Sequence, residues 1–222
     1  MAFIRNLPKD LTRSGALRGG PPSLVLPTHA LKVLLRRLRR IEQPQVLDLG
    51  PAEDANLQFF TQRGCRVAIE DLAETLPPAP ERRSSSRVRR AGVAPVLPRL
   101  LEARRPPDER FDLVLCWDLL ELMPSDTASG LVAEISARLR PRGMVWALFD
   151  SSSRAAACLH RFRILAEDSL EHRLRPERPV TRLVHQNRDV LAIFQGFEVL
   201  SSTFLRVGVR ELLFGKAAAD SA

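Results

Sequence analysis

Two short apolar segments end in carboxylates, and one of them also ends in a glycine. Residues 45–50 close with Asp48 and Gly50, and residues 66–71 close with Asp71. In an open α/β sheet, ligands bind beyond the carboxyl ends of the strands, at the point where the strand order reverses. Glycine lets the backbone approach a ligand closely, and a carboxylate accepts hydrogen bonds. The pattern therefore favours a small-molecule site at the mouth around Gly50.

Three histidines, His160, His172 and His185, are the candidate general bases for chemistry at this mouth. Imidazole titrates near neutral pH, which suits proton transfer, although a surface position is the more common outcome for each histidine. All three follow the fifth strand predicted below, in a polar stretch that reveals no partner for them. Trp117 and Asp118 end another apolar segment, where Trp117 either stacks on a ligand or packs under the next helix. The catalytic residue stays open.

Several common catalytic and metal-binding motifs are missing from the sequence. It contains no GxGxxG turn for a nicotinamide cofactor, no GxxxxGK[ST] phosphate loop and no GxSxG nucleophile elbow. Cys65, Cys116 and Cys158 are widely spaced and odd in number, which predicts buried thiols rather than a disulfide framework or a zinc site. We therefore expect no metal centre.

Strands alternate with helices along the chain, and this alternation would position the candidate residues. Predicted strands span residues 45–50, 66–71, 93–97, 111–117, 144–149, 197–205 and 209–216, and predicted helices start at Thr28 and span residues 54–63, 98–105, 125–139 and 188–194. Alternating elements imply right-handed βαβ units on a parallel sheet. The predicted fold is α/β, with a Rossmann-like, mostly parallel seven-stranded sheet, helices on both faces and a C-terminal antiparallel hairpin.

A chain of 222 residues suits one domain. Residues 1–27 contain Gly and Pro without periodicity, which predicts a loose N-terminal arm. We expect the domain to span residues 28–216 and a C-terminal tail to follow at residues 217–222. Within the domain, residues 76–92 are dense in Pro, Ser and Arg and predict a flexible loop. No apolar run reaches the length of a membrane span and the first residues lack a secretory signal, so we expect a cytoplasmic protein without a membrane partner.

The formal charge of +8 raises the alternative of nucleic-acid binding. Most of the excess is local, because the segment from Glu81 to Arg105 contains eight arginines and two glutamates, a difference of +6. That segment has no aromatic side chains, which surfaces that bind RNA commonly add to their charge. A solvated charged loop is therefore favoured over a nucleic-acid partner.

Four stretches lie in chain order at spacings that fit one known strand order. They are Val46-Leu47-Asp48-Leu49-Gly50, Glu70-Asp71, Phe111-Asp112-Leu113-Val114-Leu115-Cys116-Trp117-Asp118 and Leu139-Arg140-Pro141-Arg142-Gly143-Met144. Together with the C-terminal hairpin, they resemble the class I S-adenosylmethionine-dependent methyltransferases over residues 28–216.

The resemblance implies a role for each candidate residue toward S-adenosylmethionine. Asp71 would bind the ribose hydroxyls and Asp48 would join the polar network around the methionyl amine. Leu72 would lie against the adenine, and the backbone at Cys116 and Trp117 would line the methionyl side. Gly50 would let the loop approach the cofactor, with the amides that open the following helix facing the methionyl carboxylate.

The sequence also departs from the pattern of that family. The loop Gly50-Pro51-Ala52-Glu53-Asp54-Ala55-Asn56 keeps only the first of the expected alternating glycines and gains two carboxylates. We interpret Asp54 as the N-cap of its helix. The stretch Ala94-Pro95-Val96-Leu97 offers no acid for the adenine amino group.

Two functions follow from the matches and the departures together. One is an S-adenosylmethionine-dependent methyltransferase of unknown acceptor. The other is a catalytically degenerate methyltransferase-like binding or regulatory module. Neither reading specifies an oligomeric state.

Overall fold

The computed structural model describes residues 23–75, 108–150, 158–205 and 208–217. Outside these ranges fall the third strand and the third helix predicted from the sequence, at residues 93–97 and 98–105, and the predicted loop at residues 76–92. Most of the predicted arm, at residues 1–22, and residues 218–222 of the tail also fall outside them.

The described elements alternate as the sequence predicts, and an additional small sheet accompanies them. The strands are β1 (Ser23–Pro27), β2 (Gln45–Asp48), β3 (Arg66–Ile69), β4 (Phe111–Trp117), β5 (Leu139–Asp150), β6 (Cys158–Ala166), β7 (Ser169–Pro179), β8 (Phe197–Phe204) and β9 (Val209–Lys216). The helices are α1 (Ala30–Leu38), α2 (Asp54–Thr61), α3 (Ser125–Arg138) and α4 (Asn187–Ile193), and the 3₁₀ turns are Ala73–Thr75 and Leu119–Leu122. None of these helices has the length and apolar character of a membrane span.

The main sheet has the strand order β3-β2-β4-β5-β9-β8. Strands β3, β2, β4 and β5 run parallel, whereas β9 pairs antiparallel with both β5 and β8. This arrangement confirms the predicted α/β fold with a mostly parallel sheet and a terminal antiparallel hairpin. The described ranges contain six of the seven predicted strands of this sheet. The chain passes from β2 to β3 on one side and then to β4 on the other, so the strand order reverses at β2.

Both faces of the main sheet are buried, and β4 shows how. Val114 and Cys116 belong to one core with α3 and α4, whereas Leu113 and Leu115 belong to a second core with α1 and α2. Successive side chains of a strand point to opposite faces, which is why a continuously apolar strand fits between two layers. Helices therefore cover both faces, as predicted.

A second sheet, with the order β1-β7-β6, is antiparallel and joins the second core. Its first strand corrects the predicted arm, because residues 23–27 pair along β7 instead of lying loose. The other two strands, β6 and β7, lie in the polar stretch that contains His160 and His172. In β6, buried Phe162 and Ile164 alternate with half-buried Arg161 and Arg163, which is the period of a strand with one covered face.

Two buried polar side chains fix helices to distant strands. The carboxylate of Glu211 in β9 accepts hydrogen bonds from the hydroxyl of Thr28 and from the amides of His29 (2.9 Å) and Ala30 (3.1 Å) at the start of α1. The N-cap position of α1 is His29, and the predicted cap Thr28 lies one residue earlier, where its hydroxyl accepts from the amide of Leu31 at 3.3 Å. A remote carboxylate thus completes the cap, because the first amides of a helix have no partner within it.

Asn56 forms the second link, between α2 and β6. Its amide nitrogen donates to the carbonyl of Phe162 at 3.0 Å, and its oxygen accepts from the amide of Ile164 at 2.7 Å. Because β6 is an edge strand of the small sheet, this side chain satisfies backbone groups that a further strand would otherwise pair. The link holds the small sheet against the helix that follows the loop after Gly50.

Candidate functional site

A cleft opens where the strand order reverses, at the carboxyl ends of β2 and β4. Its empty volume is about 540 Å³ including its open mouth. Four of the candidate site residues line it from the main sheet and its loops, namely Gly50, Asp71, Cys116 and Trp117. The small sheet covers the opposite side with Leu159, His160, Phe162 and Arg175.

Asp48, Gly50 and Trp117 form one contact group at the base of the cleft. The indole Nε1 of Trp117 donates to Asp48 Oδ1 at 2.6 Å, and the amide of Gly50 donates to the same oxygen at 2.9 Å. A β-carbon on Gly50 would lie 2.6 Å from Cδ1 of Trp117, so only glycine fits beneath the indole. Trp117 itself has a φ of 49°, in the left-handed region that non-glycine residues adopt rarely.

The electrostatics of Asp48 follow from its depth. Burial raises the pKa of its carboxyl to about 6, although the hydrogen bonds from Gly50 and Trp117 act in the opposite direction. The carboxyl group of Asp48 thus has a partner within the protein, the indole of Trp117. The resemblance gave Asp48 a role in the polar network around the methionyl amine, and the sequence did not reveal Trp117 as its partner.

Asp71 lies half-buried at the cleft, just beyond β3. Its Oδ1 accepts a hydrogen bond of 3.2 Å from the amide of Glu74, so the carboxylate caps the 3₁₀ turn Ala73–Thr75. Burial raises the pKa of Asp71, and the hydrogen bond from Glu74 opposes that shift. The carboxylate therefore stabilises local structure in addition to facing the cleft.

The structure corrects the expectations for Leu72 and for Glu53 and Asp54, the two carboxylates of the loop after Gly50. Leu72 is fully buried in the core beneath the sheet and is not among the residues lining the cleft, so its side chain is not available to an adenine there. Asp54 is the first helical residue of α2 and is exposed, and the N-cap position belongs to Glu53, which makes no side-chain capping bond. Glu53 Oε2 instead lies 3.5 Å from Nη1 of Arg161 in β6.

Cys116 contributes a buried wall to the cleft. Its side chain is completely inaccessible, and burial raises the pKa of the thiol far above its usual range. A thiol in this state is an inert packing group. The buried thiols predicted for Cys65, Cys116 and Cys158 are confirmed.

A charged cluster lies beside the cleft, where the small sheet meets the end of β4. His160 Nδ1 lies 3.0 Å from Asp118 Oδ2, and Arg182 Nη1 lies 2.8 Å from the same oxygen. Arg182 also pairs with Glu121, whose Oε1 accepts from the amide of Asp150 at 2.5 Å. Burial alone would raise the pKa of Asp118, but Arg182 and His160 hold it below its usual range. Asp118 is therefore an ionised, buried partner for His160.

The surface positions expected for the three histidines are wrong. His160 and His185 are buried, and His172 is half-buried. His185 lies between Ser125 Oγ (3.3 Å from Nδ1) and the carbonyl of Leu120 (3.0 Å from Nε2), outside the cleft. Burial and the neighbouring His160 lower the pKa of His172 to about 4.

Aromatic rings connect the base of the cleft to the histidines. Trp117 stacks on Phe162 with centroids 5.7 Å apart, and Phe162 stacks on His172 at 4.9 Å. The rings of His172 and His160 meet edge to face at 4.7 Å. Phe162 and Arg182 were not recognised from the sequence, although the two-residue alternation in β6 could have placed Phe162 on a buried face. Within the described ranges, no three potential metal ligands among His, Cys, Asp and Glu are grouped to hold an ion.

Comparisons with known proteins agree with this architecture. The family described as "Methyltransferase domain" matches residues 26–192, about three quarters of the chain. No curated protein matches the chain.

Several solved structures are similar to the chain. The 1,6-didemethyltoxoflavin-N1-methyltransferase of Burkholderia thailandensis is 18% identical, with a TM-score of 0.49 over 85% of this chain and 77% of that chain. An S-adenosylmethionine-dependent methyltransferase of Clostridium acetobutylicum is 11% identical, with a TM-score of 0.45 over 85% of this chain and 90% of that chain. The glycopeptide N-methyltransferase MtfA, complexed with S-adenosylmethionine, is 15% identical, with a TM-score of 0.45 over 84% and 93% of the two chains.

Proposed function

Because the chain belongs to the methyltransferase domain family, we propose that it transfers the methyl group of S-adenosylmethionine to an acceptor in the cleft between β2 and β4. The observation that carries this proposal is the place of the cleft. It lies at the carboxyl ends of the strands where the strand order reverses, which is where open α/β sheets bind their ligands.

The residues of the cleft fit the chemical groups of this cofactor. Asp71 is a half-buried carboxylate at the end of β3 and would accept hydrogen bonds from the ribose hydroxyls. The backbone at Cys116 and Trp117 would line the methionyl side, and the amides that open α2 would face the methionyl carboxylate. Asp48 is buried behind the lining residues and would act on the methionyl amine through the indole of Trp117 and the amide of Gly50 that it binds.

When bound, S-adenosylmethionine supplies a methyl group activated by a sulfonium sulfur. The protein then has to bind the two reactants, orient them in line and exclude water. The small sheet serves the last task, because Leu159 and Phe162 close the cleft opposite the main sheet. The rigid indole of Trp117, held by Asp48 and stacked on Phe162, gives the methionyl side a fixed wall.

A second candidate function, a binding or regulatory module without catalysis, is favoured by one specific observation. The indole of Trp117 covers Gly50 so closely that a β-carbon there would lie 2.6 Å from the ring. The side chain thereby occupies space that a loop glycine offers to a ligand, and the loop lacks the further glycines expected of an active relative.

Calorimetric titration of the purified chain distinguishes the two functions. We expect S-adenosylmethionine and S-adenosylhomocysteine to bind with micromolar dissociation constants, and ATP, which shares their adenosine, to bind much more weakly. Trp117→Phe is an informative variant, because it removes the hydrogen bond to Asp48 and keeps an aromatic wall. Lack of binding by the parent at millimolar ligand would reject the enzyme. Binding gained only in Trp117→Phe would favour the module.

A further inference from the structure

We propose that His160 is the general base of the reaction and that the acceptor therefore belongs to the class whose nucleophilic atom loses a proton on methylation, such as a phenolic or enolic hydroxyl. This inference rests on the proposed function and names the substrate class of the same cleft. It excludes tertiary amines and thioethers, whose lone pairs attack a methyl group without releasing a proton.

The geometry of His160 carries the first step. His160 is one of the residues that line the cleft, and it is only 7% exposed. Nδ1 contacts Asp118, whereas Nε2 is buried and has no hydrogen-bond partner within the described ranges. A buried polar atom without a partner is costly, and such atoms are few in folded proteins. A group on the acceptor that donates to Nε2 would remove this cost.

Asp118 fixes which ring nitrogen carries the proton. It is ionised, because Arg182 lies 2.8 Å from its Oδ2 in a buried environment. An ionised carboxylate accepts and cannot donate, so Oδ2 of Asp118, 3.0 Å from Nδ1 of His160, favours the tautomer with its proton on Nδ1. In the neutral ring the other nitrogen, Nε2, then has a free lone pair. This is the arrangement that orients a histidine base by a carboxylate behind it.

The groups facing His160 from neighbouring elements distinguish it from the other histidines. Asp118 and Glu121 come from the end of β4 and the 3₁₀ turn after it, Arg182 from the segment between β7 and α4, and His172 from β7. Nε2 of His172 is likewise buried without a hydrogen-bond partner within the described ranges, but no hydrogen bond or ion pair there joins His172 to a carboxylate, and its ring stacks on Phe162. It is not a lining residue of the cleft. His160 is therefore the base, and His172 packs behind it.

The transfer balances with this one proton acceptor. A lone pair on the acceptor oxygen forms the new bond to the methyl carbon, and the bond from that carbon to sulfur breaks with its electron pair staying on sulfur. The proton of the hydroxyl moves to Nε2 of His160. The sulfonium becomes a neutral thioether, the acceptor becomes a methyl ether, and the resulting imidazolium beside Asp118 later releases its proton to water.

The first test needs no acceptor. Long-range proton–nitrogen NMR correlations identify the tautomer of each histidine, and the His160 signals are assigned by their loss in His160→Gln. In mildly alkaline buffer we expect the parent to carry the proton on Nδ1 of His160. Asp118→Asn should favour the other tautomer, because an amide can donate to Nδ1. A parent spectrum with the proton on Nε2 of His160 would overturn the proposal.

The second test uses transfer of labelled methyl from S-adenosylmethionine to unsubstituted phenol and to 4-nitrophenol, which is largely ionised in the same alkaline buffer. His160→Gln should reduce kcat/KM for phenol by about 10²- to 10⁴-fold, the usual contribution of a general base. The kcat/KM of the variant for 4-nitrophenol should stay close to that of the parent, because an acceptor that is already ionised needs no base. His172→Gln is the matched control and should keep the parent's ratio between the two phenols.

Each outcome separates this inference from the proposed function. Equal losses on both phenols in His160→Gln, with cofactor affinity retained, would mean that His160 only maintains structure. Methylation of thioether or tertiary amine probes in place of phenols, or of no probe at all by a parent that binds the cofactor, would overturn the acceptor class. Absence of cofactor binding would overturn the proposed function itself, and the NMR result would stand apart from it.

Discussion

At the scale of single residues, Asp48 shows how a candidate site can oppose stability. It is 3% exposed, and its pKa of about 6 lies above that of an unfolded aspartate, about 4. Between these pH values the folded protein retains a proton that the unfolded chain has lost. The contribution of Asp48 to stability is therefore fully present below about pH 4 and is lost as the pH rises through 6.

We predict that Asp48→Asn stabilises the protein at neutral pH, because the amide oxygen can still accept from Gly50 and Trp117 without a buried charge. The stability of the variant relative to the parent should rise by about 3 kcal/mol between pH 4 and pH 7. Urea denaturation across this range measures the difference. Asp126→Asn, at an exposed position in α3, controls for the loss of one negative charge. A relative stability of Asp48→Asn that does not change with pH would contradict the account.

Asp71 has two tasks, and substitution can separate them. Asp71→Asn keeps an oxygen for the amide of Glu74, so the free protein should retain its melting temperature. The loss of charge should weaken the binding of S-adenosylmethionine by about 1.5–3 kcal/mol, or roughly 10- to 150-fold in the dissociation constant, as expected for hydrogen bonds to a charged group. Asp71→Ala should show the same loss of affinity and also lower stability by about 1 kcal/mol, as loss of a cap does. Unchanged calorimetric affinity in Asp71→Asn would remove this residue from the site.

The sequence located the residues of the cleft better than their partners. Asp48, Gly50 and Asp71 end adjacent parallel strands, and the ends of such strands meet at one edge, so their proximity follows from the strand pattern. The contacts of Trp117 with Asp48 and of Asp118 with His160 join residues far apart in the chain. Local periodicity contains no information about such pairs, because the first depends on how β4 pairs with β2 and the second on how the small sheet docks.

At the scale of elements, predictions succeeded where one segment determines its own structure. Strand β4 was predicted at its observed bounds because six of its seven residues are apolar, all except Asp112. Helix α2 ends close to Gly64, whose φ of 78° only glycine adopts easily. The small sheet was missed because β7 alternates half-buried arginines with few apolar residues. Such a strand is defined by its neighbours β1 and β6 more than by its own composition.

The link between α2 and β6 gives a prediction at this scale. Asn56→Ala leaves the carbonyl of Phe162 and the amide of Ile164 buried without their partners, and each such loss costs about 1–3 kcal/mol. We expect a total loss of about 2–4 kcal/mol by urea denaturation, with faster hydrogen exchange at Ile164. Gln58→Ala, at an exposed position of the same helix, is the control. Equal stability of the two variants would mean that the link contributes little.

At the scale of the whole molecule, the two sheets share one core. Leu26 of β1, Ile164 of β6 and Leu170 of β7 belong to the same buried cluster as the leucines of α1. Trp117 and Trp146 lie in this cluster with ring centroids 5.3 Å apart, and they are the only tryptophans of the chain. Their environment therefore reports on the contact between the small sheet and the main sheet.

We predict that the two sheets unfold together, because neither can leave without exposing this shared core to water. Tryptophan fluorescence reports the contact between the sheets, and far-ultraviolet circular dichroism reports the helices and strands as a whole, so the two signals should give the same urea midpoint. In Asn56→Ala both midpoints should fall by the same amount, since the link strengthens one cooperative unit. A fluorescence transition at clearly lower urea than the circular dichroism transition would show that the small sheet detaches first. The cover over the cleft would then be a separate and less stable unit.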